Sequence, residues 1–545
     1  MPRSVHRARR AFLQKILLTA PALSALSACG GGGSATGSGT PTAASVGGTP
    51  TTTGSTTAPT LPASTPVVVA PAPAPVATPS APSPTTPVVT AGTDLFTGVP
   101  QVGKTLMPYS PLPKPAKGVP VLDPDFGAKI IRITDCQADF QNLCAAPAYP
   151  TAMAWNCDES RFILYLPGST AQAGGQQGWA LYDGTTYAFL GMLDINPADV
   201  EQFYWDRTDP STLRYIDNHM VGSQTLADLT AIDVDTGVKT IVYSFLPNGL
   251  PPGFPTVGPV RCGYPFALGI NAQGERIWGL GAGGPPNVSG ELGLQVFGFN
   301  ETTKVFTLYD PSVVPQPQAR GSTPFASVSG QFFVWNAAPG LNSTPTTQSA
   351  VLDAATGKLV RWINFDSNEH CDTAMAANGN DLLVGSQFSR NTGGNGNAIV
   401  CNLNTGAVAN DVGESSGWGY PVTGSLTGAT AWANPSWAVT GMTGDVYGTN
   451  NSGPTPTPTT VLDQEIMLTN LSTGETRRIA HHRSTGNYSN AAQSNYWAQT
   501  NVTLSPSGTR ILFQSDWGNA DPSNPVVNPN AAVDTYVLIL PTYKG

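Results

Sequence analysis

The chain of 545 residues is poor in charge, since 26 Lys or Arg and 35 Asp or Glu make up 11% of it, whereas a typical globular domain has about 25%. Gly and Pro are abundant, with 59 and 50 residues, but 11 Trp, 16 Tyr and 19 Phe suffice for a large core. This composition excludes a coiled coil and a helix-rich enzyme. It also excludes a nucleic-acid-binding protein with a basic face, so nucleic acid is not an expected partner.

Residues 1–28 have the features of an export signal. Basic residues without any acidic one precede a short apolar run, Ile16 to Leu26, which is too short to remain in a bilayer as a spanning helix. The Leu-Ser-Ala sequence before Cys29 resembles the lipobox of bacterial lipoproteins, and the upstream ARRAFLQ sequence resembles the twin-arginine export motif. We therefore predict lipidation of Cys29 and anchoring to a membrane of the bacterial cell envelope, in the periplasm or at the outer-membrane surface. An ordinary signal peptide with unmodified Cys29 is the alternative.

Residues 29–93 form a segment of their own. No residue from Gly30 to Thr93 is charged, and Gly, Ser, Thr, Pro and Ala dominate. Such a sequence buries too little apolar surface to offset the entropy of ordering it, so we expect a disordered tether with a reach of about 45 Å. The folded domain follows at 94–545. Without residues 1–28, the chain has 21 basic and 35 acidic side chains, a formal charge of −14, which disfavours binding to anionic lipid.

The folded domain contains two kinds of recurring β-hairpin. In the first kind, a turn rich in Asp, Asn and Gly separates runs that alternate or favour β-branched residues, as is typical of hairpins. The first kind recurs at 181–190, 232–243, 297–309, 351–363, 400–411 and 468–480. The second kind lies between them, at 153–166, 203–216, 268–280, 325–335, 374–385 and 502–513. Together they define a four-stranded antiparallel unit of roughly 40–60 residues, without an amphipathic helix.

Counting these units predicts an all-β protein with the architecture of a seven-bladed β-propeller. The units are centred near positions 155, 205, 270, 330, 376, 435 and 504. The last strand, at 534–540, has no hairpin partner of its own, and we predict that it pairs with 128–134 to close the ring and remove exposed edges. Propellers of six or eight blades and a pair of β-sandwiches are the alternatives, but the repeated turns favour a propeller.

Two hairpins of the second kind carry a family resemblance. SPSGTRILF at 505–513 and NCDESRFILYL at 156–166 resemble the S-P-D-G-x-x-[IL]-x-[FY] hairpin of TolB-like periplasmic propellers and of oligogalacturonate lyases. The resemblance implies a propeller and, for the lyases, a divalent metal bound by His and Gln side chains. In this chain the resemblance suggests Gln499 as a metal ligand, whereas the histidines that precede the last hairpin in the lyases are absent. His481 and His482 are candidate metal ligands because they are two of the few histidines after the signal.

A lyase acting on an acidic sugar requires a base for the proton beside the uronate carboxylate and a cation to neutralise that carboxylate. Histidine is scarce after the signal, and each one lies in a polar stretch. His370 and His219 are the candidate bases, Arg261 the candidate cation and Tyr264 the candidate acid. A surface or capping role is the alternative for each histidine.

A ring of side chains at the starts of the first strands is the predicted ligand site. Aligning the units and counting back five or six residues from each inner turn reaches positions that open toward the centre of a propeller. Tyr149, Asp199, Tyr264, His370 and Gln499 occupy such positions, and Glu201 and Asp372 lie beside them. We predict that this ring binds a protein or a carbohydrate. The alternative is that the tyrosines only pack against the turns.

Six cysteines remain when Cys29 is lipidated, and an even number in an exported protein favours disulfides. They are Cys136, Cys144, Cys157, Cys262, Cys371 and Cys401. Six cysteines allow fifteen connectivities. Cys136 with Cys144 and Cys371 with Cys401 are the two candidate pairs.

Two functions remain open at this stage. The first is a non-catalytic envelope propeller that binds a protein or glycan, and the second is a carbohydrate-active enzyme related to polyuronate lyases. The incomplete set of lyase ligands and the acidity of the chain favour binding, since a polyuronate is itself negative. The sequence has no G-x-S-x-G, P-loop or CxxC motif, so serine-hydrolase, nucleotide and thioredoxin chemistry have no support.

Overall fold

The fold is that of a seven-bladed β-propeller, as the sequence predicts. In this computed structural model, the described residues form seven antiparallel sheets that follow one another in chain order. The described residues are 91–286, 292–318, 323–336, 349–367, 370–387, 396–418, 425–442, 458, 460–484, 496–518 and 531–544. The predicted lipidation site Cys29, the signal segment and the tether up to residue 90 lie outside them. In the described part of the chain, no helix combines the length and the apolar character needed to cross a membrane.

We number the blades in chain order and the strands of each blade from the ring centre outward. Blade 1 contains Arg161–Leu166, Gly178–Asp183 and Phe189–Leu193. Blade 2 contains Phe203–Trp205, Thr212–Val221, Gln224–Asp233 and Lys239–Leu246. Blade 3 contains Val260–Cys262, Leu268–Ile270, Arg276–Pro286, Leu292–Asn300 and Phe306–Leu308. In blade 1 a bridge between Trp155 and Phe162 stands in place of a regular first strand. In blade 3 the first strand is divided into two pieces, which both pair with Arg276–Pro286.

The remaining blades are more regular. Blade 4 contains Phe325–Ala326, Phe332–Asn336, Ser349–Asp353 and Leu359–Ile363. Blade 5 contains Cys371–Met375, Asp381–Gln387, Gly396–Asn402 and Val408–Gly413. Blade 6 contains Ser425–Gly428, Trp437–Met442, Glu465–Asn470 and Thr476–His481. Blade 7 contains Val502–Leu504, Arg510–Ser515, Asp534–Ile539, Lys129–Arg132 and Pro120–Leu122. One α-helix, Cys136–Phe140, and three 3-10 turns, Gly168–Thr170, Glu414–Ser416 and Tyr496–Ala498, complete the described secondary structure.

The turns between third and fourth strands confirm the first kind of predicted hairpin. In blade 4, Asp353 Oδ1 accepts a hydrogen bond of 2.8 Å from the Thr356 N–H, and Gly357 adopts a φ of +70°. A Cβ at Gly357 would lie 2.2 Å from the Leu308 carbonyl oxygen of the neighbouring blade. Glycine is thus required there by both the backbone conformation and the close approach of blade 3.

The ring closes through blade 7, as predicted from the unpaired last strand. Asp534–Ile539 pairs on one side with Arg510–Ser515 and on the other with Lys129–Arg132, in a register that places Val537 opposite Ile131. The N-terminal and C-terminal parts of the domain therefore share one sheet. This arrangement leaves neither Asp534–Ile539 nor Arg510–Ser515 as an exposed edge.

Residues 94–118 form an extended segment against blades 6 and 7, which we call the N-terminal strap. Three arginines after the outer strand of blade 6 or within it donate to carbonyl groups of the strap. Arg477 donates to Phe96 and Val99, Arg478 to Gly103 and Thr105, and Arg483 to Ser110. Just before the strap, Asn434 in the inner turn of blade 6 accepts a hydrogen bond from the Gly92 N–H and donates one to the Thr93 carbonyl.

The predicted disulfides are not found among the six cysteines of the described chain, Cys136, Cys144, Cys157, Cys262, Cys371 and Cys401. All of these except Cys157 are buried. Cys371 and Cys401 lie on the two strands that flank Asp381–Gln387, opposite Gly385 and Leu383. Strands lie about 4.8 Å apart, so a full intervening strand separates these two cysteines by more than a disulfide spans. Burial raises the pKa of the Cys262 and Cys401 thiols to about 12, which keeps them protonated and unreactive.

Candidate functional site

Three aromatic side chains form a row on the face of the ring where the first strands begin, which we call the upper face. Tyr165 ends the second strand of blade 1 opposite Trp179, and Trp497 precedes the first strand of blade 7. The ring centroid of Tyr165 lies 5.4 Å from that of Trp179 and 5.9 Å from that of Trp497. We call these three residues the aromatic row. Sequence reasoning missed them, although a Tyr–Trp cross-strand pair beside a loop is a signal that it could have used.

The rings of the aromatic row are held by their polar atoms. The indole N–H of Trp497 donates to Ser169 Oγ at 3.2 Å, and that of Trp179 donates to the Val200 carbonyl at 3.1 Å. All three side chains are half-buried. Burial, reinforced by Cys144 and Glu201, raises the pKa of Tyr165 to about 12, so its phenol stays neutral. The row is therefore an uncharged, preorganised aromatic surface.

Two of the predicted ligand residues meet on the same face. Tyr149 from blade 1 and Tyr264 from blade 3 have their hydroxyl oxygens 3.1 Å apart and their ring centroids 5.9 Å apart. Both side chains are half-buried. The structure thus brings together two tyrosines that the alignment of the units places at equivalent positions.

The charged residues that were predicted nearby are tied to the backbone. Arg261 is buried and donates to the Ala198 carbonyl at 3.3 Å, and burial lowers its pKa to about 10, so it is still charged at neutral pH. Asp199 Oδ1 accepts from the Val200 N–H at 2.9 Å. Glu201 is half-buried and acts on the pKa of Tyr165. Glu201 thus brings a negative charge close to the aromatic row, whereas the Arg261 guanidinium is bonded to the backbone.

Gln499 is the predicted residue whose environment most favours a ligand. Its side chain is 1% exposed, yet neither atom of its amide has a hydrogen-bond partner within the described part of the chain. Its backbone is fixed, because Gln514 donates to its carbonyl at 2.5 Å. A buried amide without partners is costly, so such a group is usually satisfied by water or by a bound molecule.

The predicted metal ligands do not fit one common site. His482 has both ring nitrogens engaged: Nε2 faces the Met442 carbonyl at 2.5 Å, and Nδ1 accepts from the Ser484 N–H at 3.0 Å. This fixes the Nε2–H tautomer and leaves no lone pair for a metal ion. Within the described part of the chain, the Gln499 amide has no hydrogen bond to either histidine.

His481 instead forms a group with two carboxylates that the sequence did not single out. The ligand atoms of Asp123, Asp125 and His481 lie within 4.8 Å of one another, and this set could hold a divalent ion. However, Arg483 lies 3.8 Å from both carboxylates. Asp123 already accepts three backbone N–H groups, and Asp125 accepts two hydrogen bonds from Ser110. The cation and the donors already present favour a structural role for this group.

The two candidate bases lie in different blades. His219 is on the second strand of blade 2, with Nδ1 3.8 Å from Asp217 and Nε2 4.0 Å from Asp228. His370 immediately precedes the first strand of blade 5, and its carbonyl accepts from the Ser386 N–H. Asp372, two residues further, lines a cavity in the central channel. Their proposed catalytic roles therefore remain predictions.

No protein-family model and no curated protein sequence matches this chain. Among solved structures, it is similar to an oligogalacturonate lyase in complex with manganese, at 13% identity over 78% of this chain and 99% of the other, with a TM-score of 0.46. An oligogalacturonate lyase from Vibrio parahaemolyticus gives 12% identity, 79% and 100% coverage and a TM-score of 0.47. TolB from Acinetobacter baumannii has 10% identity over 70% of this chain and 77% of the other, with a TM-score of 0.29. These are the two groups that the hairpin sequences resemble, and the likeness concerns the fold alone.

Proposed function

We propose that this protein is a cell-envelope propeller that binds a glycan on its upper face. The observation that carries the proposal is the aromatic row of Trp497, Tyr165 and Trp179, which joins blades 7 and 1. Pyranose rings present flat C–H faces that pack on aromatic rings, while their hydroxyl groups need donors and acceptors at the edges. Gln499, two residues from Trp497, has an amide without hydrogen-bond partners in the described part of the chain. This buried amide can supply both to a hydroxyl group that reaches it.

The charge of this face favours a neutral or amine-bearing glycan. Asp199 and Glu201 lie beside the row, whereas Arg261 is buried and bonded to a backbone carbonyl. The chain without residues 1–28 has a formal charge of −14. This charge would repel a polyanion at long range. Anchoring through Cys29 and the uncharged tether is part of the proposal, and it is supported by the sequence. Such a tether would hold the propeller away from the membrane while it samples glycans.

Binding of defined oligosaccharides tests the proposal. We expect a cellohexaose or chitosan hexamer to bind the purified protein in calorimetry. The Trp497→Ala variant should lose about tenfold in affinity, since a packed aromatic ring contributes about 0.5–1.5 kcal/mol beyond the area that it buries and tenfold is about 1.4 kcal/mol. Trp362→Ala is the matched control, because Trp362 is 43% exposed on the outer strand of blade 4. Failure of every oligosaccharide to bind, or equal effects of the two variants, would refute glycan binding by the row.

The same experiment separates binding from lyase activity. Oligogalacturonate is included with and without Mn²⁺, and formation of unsaturated products is followed. We expect no product. Product that disappears in His370→Ala or His219→Ala would instead support the polyuronate-lyase hypothesis, with Arg261 and Tyr264 in the roles of cation and acid.

A further inference from the structure

A second candidate site lies among the first strands and the inner turns that follow them. It is a cavity of about 230 Å³ to which six of the seven blades contribute. Phe266, Trp432 and Trp437 supply aromatic walls, and Met153 and Met375 add flexible apolar surface. Among its lining residues, Asp372 and Arg207 are the ionisable ones.

Within the described part of the chain, the buried carboxyl group of Asp372 has no counter-charge. Its side chain is 2% exposed, its Oδ2 accepts from the Ala429 N–H at 2.7 Å, and its Oδ1 accepts from the Thr373 N–H at 2.8 Å. Burial raises its pKa to about 8, and only these two backbone N–H groups oppose the shift. Each oxygen retains a lone pair, because a carboxylate can accept about four hydrogen bonds.

Arg207 does not supply the missing charge. Its guanidinium lies 6.0 Å from the ring centre of Trp432. Burial lowers its pKa to about 10, and the carboxylates of Asp381 and Asp206 act in the opposite direction. The charge of Arg207 is therefore balanced by acids outside the cavity, whereas that of Asp372 is not. The field inside the cavity favours a cation.

We propose that this cavity binds a small organic cation, an ammonium ion on an aromatic or alkyl body, with its charge against Asp372. An apolar cavity of about 150 Å³ is large enough for benzene, so the observed volume suits an arylalkylamine. The aromatic walls would receive the body and add cation–π attraction. This site is distinct from the aromatic row, and it does not depend on glycan binding.

Three ligands that share one body but differ in charge test the proposal in the full chain. The probes are 2-phenylethylamine, 2-phenylethanol and phenylacetate, titrated by calorimetry at pH 8. We expect the amine to bind at least about tenfold more tightly than the alcohol, since a hydrogen bond to a charged group is worth about 1.5–3 kcal/mol, and phenylacetate to bind most weakly. Equal affinities for amine and alcohol, or preference for phenylacetate, would overturn it, the latter in favour of recognition by Arg207.

A variant and a pH series assign the preference to Asp372. Asp372→Asn should lose the advantage of the amine over the alcohol, while Asp194→Asn, at a site 98% exposed and paired with Lys239, should retain it. For the unmodified protein, amine affinity should rise by about tenfold per pH unit up to pH 8 and then level, because binding requires the ionised carboxylate. A pH-independent affinity would contradict the assignment even if Asp372→Asn failed to fold.

Discussion

Two adjacent histidines show how position decides the chemistry of a residue type. His481 ends the outer strand of blade 6 and packs edge-on against Tyr109 and Phe126, with ring centroids 4.9 Å away in each case. His482 points to the Met442 carbonyl and is fixed as a single tautomer. Burial lowers the pKa of His481 to about 2 and that of His482 to about 4. Both rings are neutral packing elements at physiological pH.

We predict that His482 makes the protein sensitive to acid. Its pKa is about 6.5 in the unfolded chain, so below that pH the unfolded state binds the proton and the folded state does not. The resulting stability is complete above pH 6.5 and is lost as the pH falls toward 4, by up to about 3 kcal/mol. His482→Asn keeps an acceptor for Ser484 but loses the bond to Met442, which should cost about 1–2 kcal/mol at pH 8.

Urea unfolding at several pH values checks this prediction. The His482→Asn protein should show a smaller change in free energy of unfolding between pH 6.5 and 4 than the unmodified protein. Gln224→Asn, at an exposed side chain without a titratable group, is the control and should leave the pH profile unchanged. An identical slope in His482→Asn would show that other groups cause the acid sensitivity.

The N-terminal strap is an element held by charge and backbone rather than by a sheet. Arg478 is fully buried, forms a two-point ion pair of 2.5 Å with Glu465, and donates to the Gly103 and Thr105 carbonyls at 2.7 Å. Arg477 stacks on Phe96 at 4.4 Å, and its ion-pair partner is 41% exposed. The two neighbouring arginines thus contact the strap in different environments.

We predict that Arg478→Met destabilises the protein by about 3–5 kcal/mol, because it leaves the Glu465 carboxylate buried without a partner. Arg477→Met should cost less, since its carboxylate partner can be hydrated. The free energy of unfolding in urea measures both. Combining Arg478→Met with Glu465→Gln should recover part of the loss, and the absence of any recovery would contradict the buried-charge explanation.

At the scale of the whole molecule, the sequence predicts local features well and convergent ones poorly. The hairpins and the blade count follow from turns in which Asp or Asn lies within a few residues of Gly, as Asp353 does of Gly357. The aromatic row assembles from Tyr165, Trp179 and Trp497, and only the closed ring brings the last beside the first two. The position of the N-terminal strap could not be predicted from the sequence, because the arginines bind its backbone carbonyl groups, which every residue possesses. Predicted disulfides failed for a related reason, since spacing in sequence does not reveal an intervening strand.

Closure of the ring makes the stability of all seven blades depend on the last strand. Asp534–Ile539 is the third strand of blade 7 and pairs with Lys129–Arg132, near the start of the domain, and with Arg510–Ser515, near its end. We predict that deletion of 531–545 abolishes the cooperative unfolding transition and causes aggregation, because it exposes two strand edges and the core between them. Deletion of 1–90, which removes no residue of the described sheets, should preserve the transition. Thermal unfolding followed by circular dichroism, with size-exclusion chromatography, measures both variants. The prediction is contradicted if the C-terminally truncated protein stays monomeric and its unfolding temperature is unchanged. Blade 7 would then be complete without this strand, and contacts between blades alone would hold the propeller together.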